Sequence, residues 1–216
     1  MPGTADGDEM RQVQGQRLRR LPHEPDVGLP GGPGADLPGV QISGGGHRYA
    51  GCGASGAGAA NLDADFLEAL AELYPTCEAF YFQNCGKLFL AEDVRSHQIE
   101  GSDRFIRFGV NVRFFNIEGT EDMLIDTVGM STLFLPDLQY HFHNMDPNWV
   151  VNHAYNVASY ILEHDNPIQD GETIDGVADG QMSREIQWKC QYEDALIQPP
   201  REVLDIHMGK YASGGR

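Results

Sequence analysis

The sequence predicts an α+β domain in which a largely antiparallel sheet is packed by one long helix and one or two shorter helices. Three observations predict this class. Apolar and polar residues alternate in several short segments, one long amphipathic helical pattern lies between them, and the regular spacing of repeated βαβ units is missing. The chain has 216 residues, which is enough for one domain with a substantial core.

The first 61 residues differ in composition from the rest of the chain. They hold 15 of the 26 glycines, no lysine, and only one aromatic residue, Tyr49. Such a segment cannot bury enough apolar surface to offset the entropy of ordering its backbone. The composition therefore predicts a low-complexity segment over residues 1–61, either a disordered tail or an out-of-frame translation of a GC-rich gene, followed by the α+β domain over residues 62–216.

The charge excludes several classes of partner. The formal net charge is -17, and residues 62–216 hold 10 basic and 26 acidic side chains. Such a chain repels nucleic acids and anionic membrane surfaces. No apolar run is long enough to span a bilayer or to resemble a secretory signal, so we expect a cytoplasmic protein. The four cysteines form no Cys-x-x-Cys pair and are expected to be reduced, with Cys190 as a buried structural thiol.

The elements before residue 120 follow from local patterns. Residues 63–74 form a predicted helix. A hairpin is expected around Asn84-Cys85-Gly86, followed by a helical turn at residues 91–97, and alternation predicts a strand over residues 104–117. The apolar stripe expected to face the core of the first helix comprises Phe66, Leu67, Leu70, Ala71 and Leu73.

The elements after residue 120 surround the strongest local prediction, a helix over residues 146–164. Asp146 is a natural N-cap and Pro147 fits the first helical position. One face of this helix, including Tyr155, is predicted to pack on the sheet. Predicted strands cover residues 123–128, 138–143, 186–192 and 203–208, and loops are expected between residues 170 and 180.

Several of these segments resemble one bacterial family, catalogued as domain of unknown function 4261. The resemblance is carried by residues 109–117, 126–129, 135–142 and 171–176, and by the helix that begins at Asp146-Pro147-Asn148. It covers residues 62–216 and implies the fold of that family. It implies no activity, because the family carries no established function.

A cluster of histidines supports one interpretation of the function, a small metal-dependent hydrolase. His141 and His143 share one face of a predicted strand, and His153 on the following helix together with Asp137 would complete a zinc-type site. The alternative interpretation is that these histidines only form local hydrogen bonds and bind no metal. Asp126 and Asp137 are candidates for two roles, either as catalytic carboxylates or as side chains that cap turns.

The leading interpretation is a non-catalytic acidic module that binds a basic protein partner. The residues predicted to contact that partner are Asp170, Glu172 and Asp175, in an acidic loop. Electrostatic steering would speed the association, as in immunity proteins that neutralise basic toxins, which is an analogy only. This interpretation involves no cofactor, no nucleic acid and no membrane.

Overall fold

The computed structural model describes residues 55–214, together with the backbone of residues 11–13 and 16–20. The helices are α1 (Gly56–Leu73), α2 (Ala91–Ser96), α3 (Asp103–Gly109) and α4 (Pro147–Glu163). The strands are β1 (Arg11–Val13), β2 (Gln16–Arg20), β3 (Ala79–Phe82), β4 (Lys87–Leu90), β5 (Asn111–Ile117), β6 (Met123–Val128), β7 (Asp137–Phe142), β8 (Thr173–Ala178), β9 (Gln181–Asp194) and β10 (Glu202–His207).

Eight of these strands form one sheet in the order β1-β2-β5-β6-β7-β10-β9-β8. All neighbours in this sheet are antiparallel except β7 and β10, which are parallel. Strands β3 and β4 form a separate hairpin. The predicted class, α+β with a largely antiparallel sheet, is therefore confirmed.

Helix α4 forms as the sequence predicts and covers one face of the sheet. The Asp146 carboxylate accepts a hydrogen bond from the Asn148 amide at 2.9 Å, and Pro147 occupies the first helical position. Tyr155, expected in the core, is only half-buried. The buried residues of the helix are Val150, Val151, His153, Ala154, Val157, Ala158, Ile161 and Leu162.

Two predicted elements differ from the structure. Residues 103–109 are helix α3 and not the first half of a strand, because Phe105, Ile106 and Phe108 are buried with the spacing of a helix. Strand β8 runs through the region predicted as loops. Its Gly176 lies so close to Trp188 that a Cβ atom there would be 2.7 Å from the indole, so this glycine serves a close approach and not a turn.

Helix α1 begins before the predicted domain boundary at residue 61. The Ser55 hydroxyl caps its first turn by accepting from the Gly58 amide at 3.2 Å, and Ala60 is fully buried in the core. The backbone of β2 pairs with β5, so that Leu18 lies opposite Ile117. The domain therefore includes residues assigned to the low-complexity segment; the remainder of that prediction concerns residues outside the described part of the chain.

Candidate functional site

Four charged side chains form an ion-pair cluster at the centre of the sheet, on the face opposite α4. They are Arg113 on β5, Asp126 on β6, Asp137 at the start of β7, and Arg201 just before β10. Arg113 Nε donates to Asp126 Oδ1 at 2.8 Å, and Arg113 Nη2 donates to Asp126 Oδ2. Arg201 Nη2 donates to the same Oδ2 at 2.8 Å, and its Nε donates to Asp137 Oδ2 at 3.2 Å. The formal charges of this cluster cancel.

The two aspartates of the cluster are the residues that the sequence left open between catalysis and capping. The remaining oxygen of Asp137 accepts from the Thr127 hydroxyl and from the Met130 amide, both at 3.1 Å. Burial raises the pKa of Asp137, while the Arg201 charge opposes that rise. All four carboxylate oxygens of Asp126 and Asp137 accept hydrogen bonds, so the arrangement supports capping and cross-linking of strands.

The cluster also fixes the chain segment that precedes β10. Arg113 Nη1 donates to the Gln198 carbonyl and Arg201 Nη1 donates to the Pro199 carbonyl, each at 2.9 Å. The Gln139 side-chain oxygen accepts from the Leu196 amide at 2.8 Å. Sequence reasoning missed Arg201, although a basic residue directly after two prolines in an acidic domain is a detectable signal.

His153, one of the predicted metal ligands, is enclosed between α4 and the sheet at 1% exposure. Its Nε2–H donates to the Asp175 carbonyl at 2.8 Å, so its Nδ1 accepts from the Tyr140 hydroxyl at 3.0 Å. Its ring also lies 4.7 Å from that of Trp188, centre to centre. Burial lowers the pKa of His153 from 6.5 to about 4. The imidazole is therefore a neutral, fully bonded part of the core.

The other predicted ligands lie apart from His153. Tyr140 points to the α4 face, so the next residue, His141, points to the opposite face of the sheet. His141 Nε2 is 4.0 Å and His143 Nδ1 is 3.9 Å from the carboxylate of Asp122. Asp137 belongs to the ion-pair cluster. The predicted metal set is thus not assembled, and residues 55–214 contain no group of three or more His, Cys, Asp or Glu arranged to hold a metal ion.

The predicted partner-binding carboxylates are also divided by the fold. Asp175 is 2% exposed on β8, where its Oδ1 accepts from Gln187 Nε2 at 2.7 Å. It is not available to a partner, so this part of the prediction is wrong. Glu172 is half-buried and accepts from the Gln169 amide at 2.8 Å. Asp170 is exposed and accepts from the Tyr192 amide at 2.8 Å.

Asp170 is bound to β9 at Tyr192, two residues before a pair of exposed carboxylates that the sequence did not connect with it. Asp194 at the end of β9 is directly opposite Glu202 at the start of β10. Both are exposed. Burial raises the pKa of the nearby Tyr192, and the charges of Glu202 and Asp170 add to that rise. We call Asp170, Asp194 and Glu202 the acidic edge. The pairing register of β9 with β10 places Asp194 opposite Glu202, and the hydrogen bond from the Tyr192 amide holds Asp170 near that pair. No local sequence signal reveals either contact.

Cys190 behaves as the sequence predicts. It is fully buried on β9, and burial raises the pKa of its thiol to about 12. Since the thiolate is the reactive form of cysteine, this side chain is an inert part of the core.

Residues 126–207 match the model of a protein family described as Domain of unknown function (DUF4261). The resemblance expected from the sequence is thereby confirmed over these residues, which include α4, strands β7 to β10, and the acidic edge. No curated protein and no solved structure matches the chain. Within the described residues, none of the helices has the length and apolar character needed to cross a membrane.

Proposed function

Taking the DUF4261 match over residues 126–207 as the premise, we propose that this chain is a non-catalytic module that captures a basic protein partner at its acidic edge. The single observation that carries this proposal is the pairing of two like charges in the sheet. Asp194 and Glu202 are direct cross-strand neighbours, and both are exposed to solvent.

Directly opposed like charges destabilise an antiparallel pair, and such cross-strand terms amount to about 0.2–1 kcal/mol. A neighbouring cation would remove this cost. Arg201, the basic residue next to Glu202 in the chain, instead directs its guanidinium to Asp126 and Asp137. Within residues 55–214, none of the ion pairs formed by lysine or arginine involves a residue of the acidic edge. A cationic group of a partner would therefore offset the repulsion between Asp194 and Glu202, with the exposed Asp170 nearby.

The internal use of the candidate catalytic groups also supports a binding role. Asp126 and Asp137 are held by arginines, and His153 donates to a backbone carbonyl from within the core. At the acidic edge, Asp194 and Glu202 are exposed at the ends of two paired strands, and Asp170 is bonded to the Tyr192 amide. An exposed, charged edge suits fast electrostatic association more than it suits proton transfer.

Binding of a fluorescent decalysine peptide, followed by anisotropy, tests the proposed capture surface. We expect affinity at low salt that falls as the Debye length shortens from about 30 Å at 0.01 M to about 8 Å at 0.15 M ionic strength. The variant Asp170→Asn with Asp194→Asn and Glu202→Gln should bind the peptide more weakly. The Asp170→Asn substitution keeps a side-chain oxygen that can accept from the Tyr192 amide.

A matched control removes three charges elsewhere, by Glu118→Gln, Glu121→Gln and Glu163→Gln at exposed positions. The control should retain most of the affinity. Equal weakening by both variants would mean that overall acidity alone attracts the peptide. The proposal would be contradicted by an affinity for the peptide that does not change with salt concentration. It would also be contradicted by an affinity that is unchanged in the acidic-edge variant.

A further inference from the structure

Helix α1 carries apolar side chains on two opposite faces. The inner face packs into the core through Ala60, Ala64, Leu67 and Ala71. The outer face consists of Leu62, Phe66, Ala69 and Leu73, all exposed, and its three large side chains are 70%, 64% and 72% exposed, respectively. Exposed apolar side chains grouped in one large patch are rare on monomeric proteins and mark interaction surfaces.

The spacing of the outer face is that of a helix–helix seam. Leu62, Phe66, Ala69 and Leu73 are separated by four, three and four residues, which are the a and d positions of a heptad pattern. At 1.5 Å per residue, the seam is about 16 Å long. A second helix can therefore lie along it over roughly three turns.

The flanks of this seam determine which helix fits. Asp63, Asp65 and Glu72 occupy the e and g positions beside the seam, where charges select the partner in helix pairs. Asp65 is 2.8 Å from Arg104, whereas Asp63 and Glu72 form no ion pair with another described residue. Helix α1 contains no lysine or arginine.

We infer that the outer face of α1 docks an amphipathic helix of a partner protein, with an apolar seam flanked by lysine or arginine. A second copy of this chain would bring its own Asp63 and Glu72 to the same flanks, so like charges disfavour self-pairing. A basic helix both buries the apolar seam and neutralises its flanks. This surface goes beyond the proposed function, because α1 lies outside the acidic edge and outside the residues matched by the family model.

Two synthetic peptides of three heptads test this inference. Both carry leucine at a and d; the basic helix peptide carries lysine at e and g, and the acidic helix peptide carries glutamate there. Anisotropy with the full chain should show binding of the basic peptide and not of the acidic one. Phe66→Gln with Leu73→Gln should raise the Kd for the basic peptide about tenfold or more, as expected for central apolar contacts.

The matched control is Tyr81→Gln with Leu88→Gln, two exposed apolar residues on the β3–β4 hairpin, which should leave the Kd unchanged. Asp63→Lys with Glu72→Lys should reverse the preference, so that the acidic peptide binds. Loss of the acidic edge by Asp170→Asn, Asp194→Asn and Glu202→Gln should weaken decalysine binding and leave basic-helix binding intact. This difference separates failure of the inference from failure of the proposed function.

Four results would overturn the inference. They are no binding of the basic peptide, equal binding of both peptides, equal weakening by the α1 and acidic-edge variants, or a wild-type dimer in sedimentation that Phe66→Gln with Leu73→Gln dissociates. The last result would assign the seam to a second copy. Urea unfolding of each variant verifies that the substitutions at exposed positions leave the fold intact.

Discussion

Helices α1 and α4 are nearly equal in length, 18 and 17 residues, but their outward faces differ. The side of α4 opposite its buried face carries Asn152, Asn156 and Glu163, which suit water. The corresponding side of α1 carries Leu62, Phe66 and Leu73. Helix α4 is therefore completed by its own domain, whereas α1 has apolar surface that the described part of the chain does not cover. Both helices stabilise the domain through their buried faces, and the outer face of α1 is in addition the docking surface inferred above.

The largest expected effect comes from the buried face of α4. Leu162→Ala removes a fully buried side chain and should lower the free energy of unfolding by about 2–5 kcal/mol. Tyr155→Ala at the half-buried edge of this face should cost less. Urea unfolding monitored by circular dichroism measures both. A loss at position 155 that exceeds the loss at 162 would show that the core of α4 is centred on the other side.

The next effect is a pH dependence from the same buried face of α4. The pKa of His153 is about 4 when folded and about 6.5 when unfolded, so folding favours the neutral imidazole. The stabilisation that comes from keeping the buried imidazole neutral is fully present above pH 6.5 and is lost as the pH falls towards 4. Between pH 7 and pH 5 the loss should be about 2 kcal/mol.

Unfolding of the His153→Gln variant at the two pH values checks this expectation. The variant should be less stable at pH 7 and should lose less stability than wild type on going to pH 5. His164→Gln at the end of the same helix is the matched control and should follow wild type. A His153→Gln variant with the full wild-type pH dependence would assign the titration to other groups.

The sequence predicted α4 and missed the outer face of α1 for physical reasons. Around α4, the Asp146 cap, the Pro147 start and a single apolar stripe all agree, so local information suffices. In α1 the predicted stripe combined Phe66 and Leu73 with Leu67 and Ala71, although the first two are exposed and the last two are buried. Which of two apolar faces enters the core depends on α2, α3 and the β3–β4 hairpin, not on α1 itself.

The candidate sites show the same division between local and long-range information. The buried thiol of Cys190 followed from alternation along one strand. The partners of His153 are Tyr140 on β7 and the Asp175 carbonyl on β8, which only the tertiary structure brings to α4. In the same way, the acidic edge depends on the register of β9 against β10 and on the hydrogen bond from the Tyr192 amide to Asp170. Histidine spacing in sequence therefore suggested a metal set that the sheet separates.

A smaller effect, of opposite sign, is expected at the acidic edge. Asp194→Asn removes one of two directly opposed charges and should raise the free energy of unfolding by about 0.2–1 kcal/mol. Glu118→Gln, an exposed site in the turn after β5, is the control and should change stability less. A destabilised Asp194→Asn variant would show that the Asp194 carboxylate makes a favourable contact in the fold. Repulsion between Asp194 and Glu202 would then no longer support the proposal that a cationic partner binds there.

The smallest effect should occur on the outer face of α1, and it decides the comparison of the two helices. Leu73→Ala removes a side chain that is 72% exposed, so little burial is lost and alanine is a good helix former. The free energy of unfolding should change by no more than about 0.5 kcal/mol, the range of ordinary surface substitutions. Leu67→Ala on the inner face of the same helix is the matched control and should cost several times more, because Leu67 is buried. If Leu73→Ala destabilises the full chain as strongly as Leu67→Ala, then another part of the chain already covers the outer face, and α1 is completed within its own protein as α4 is.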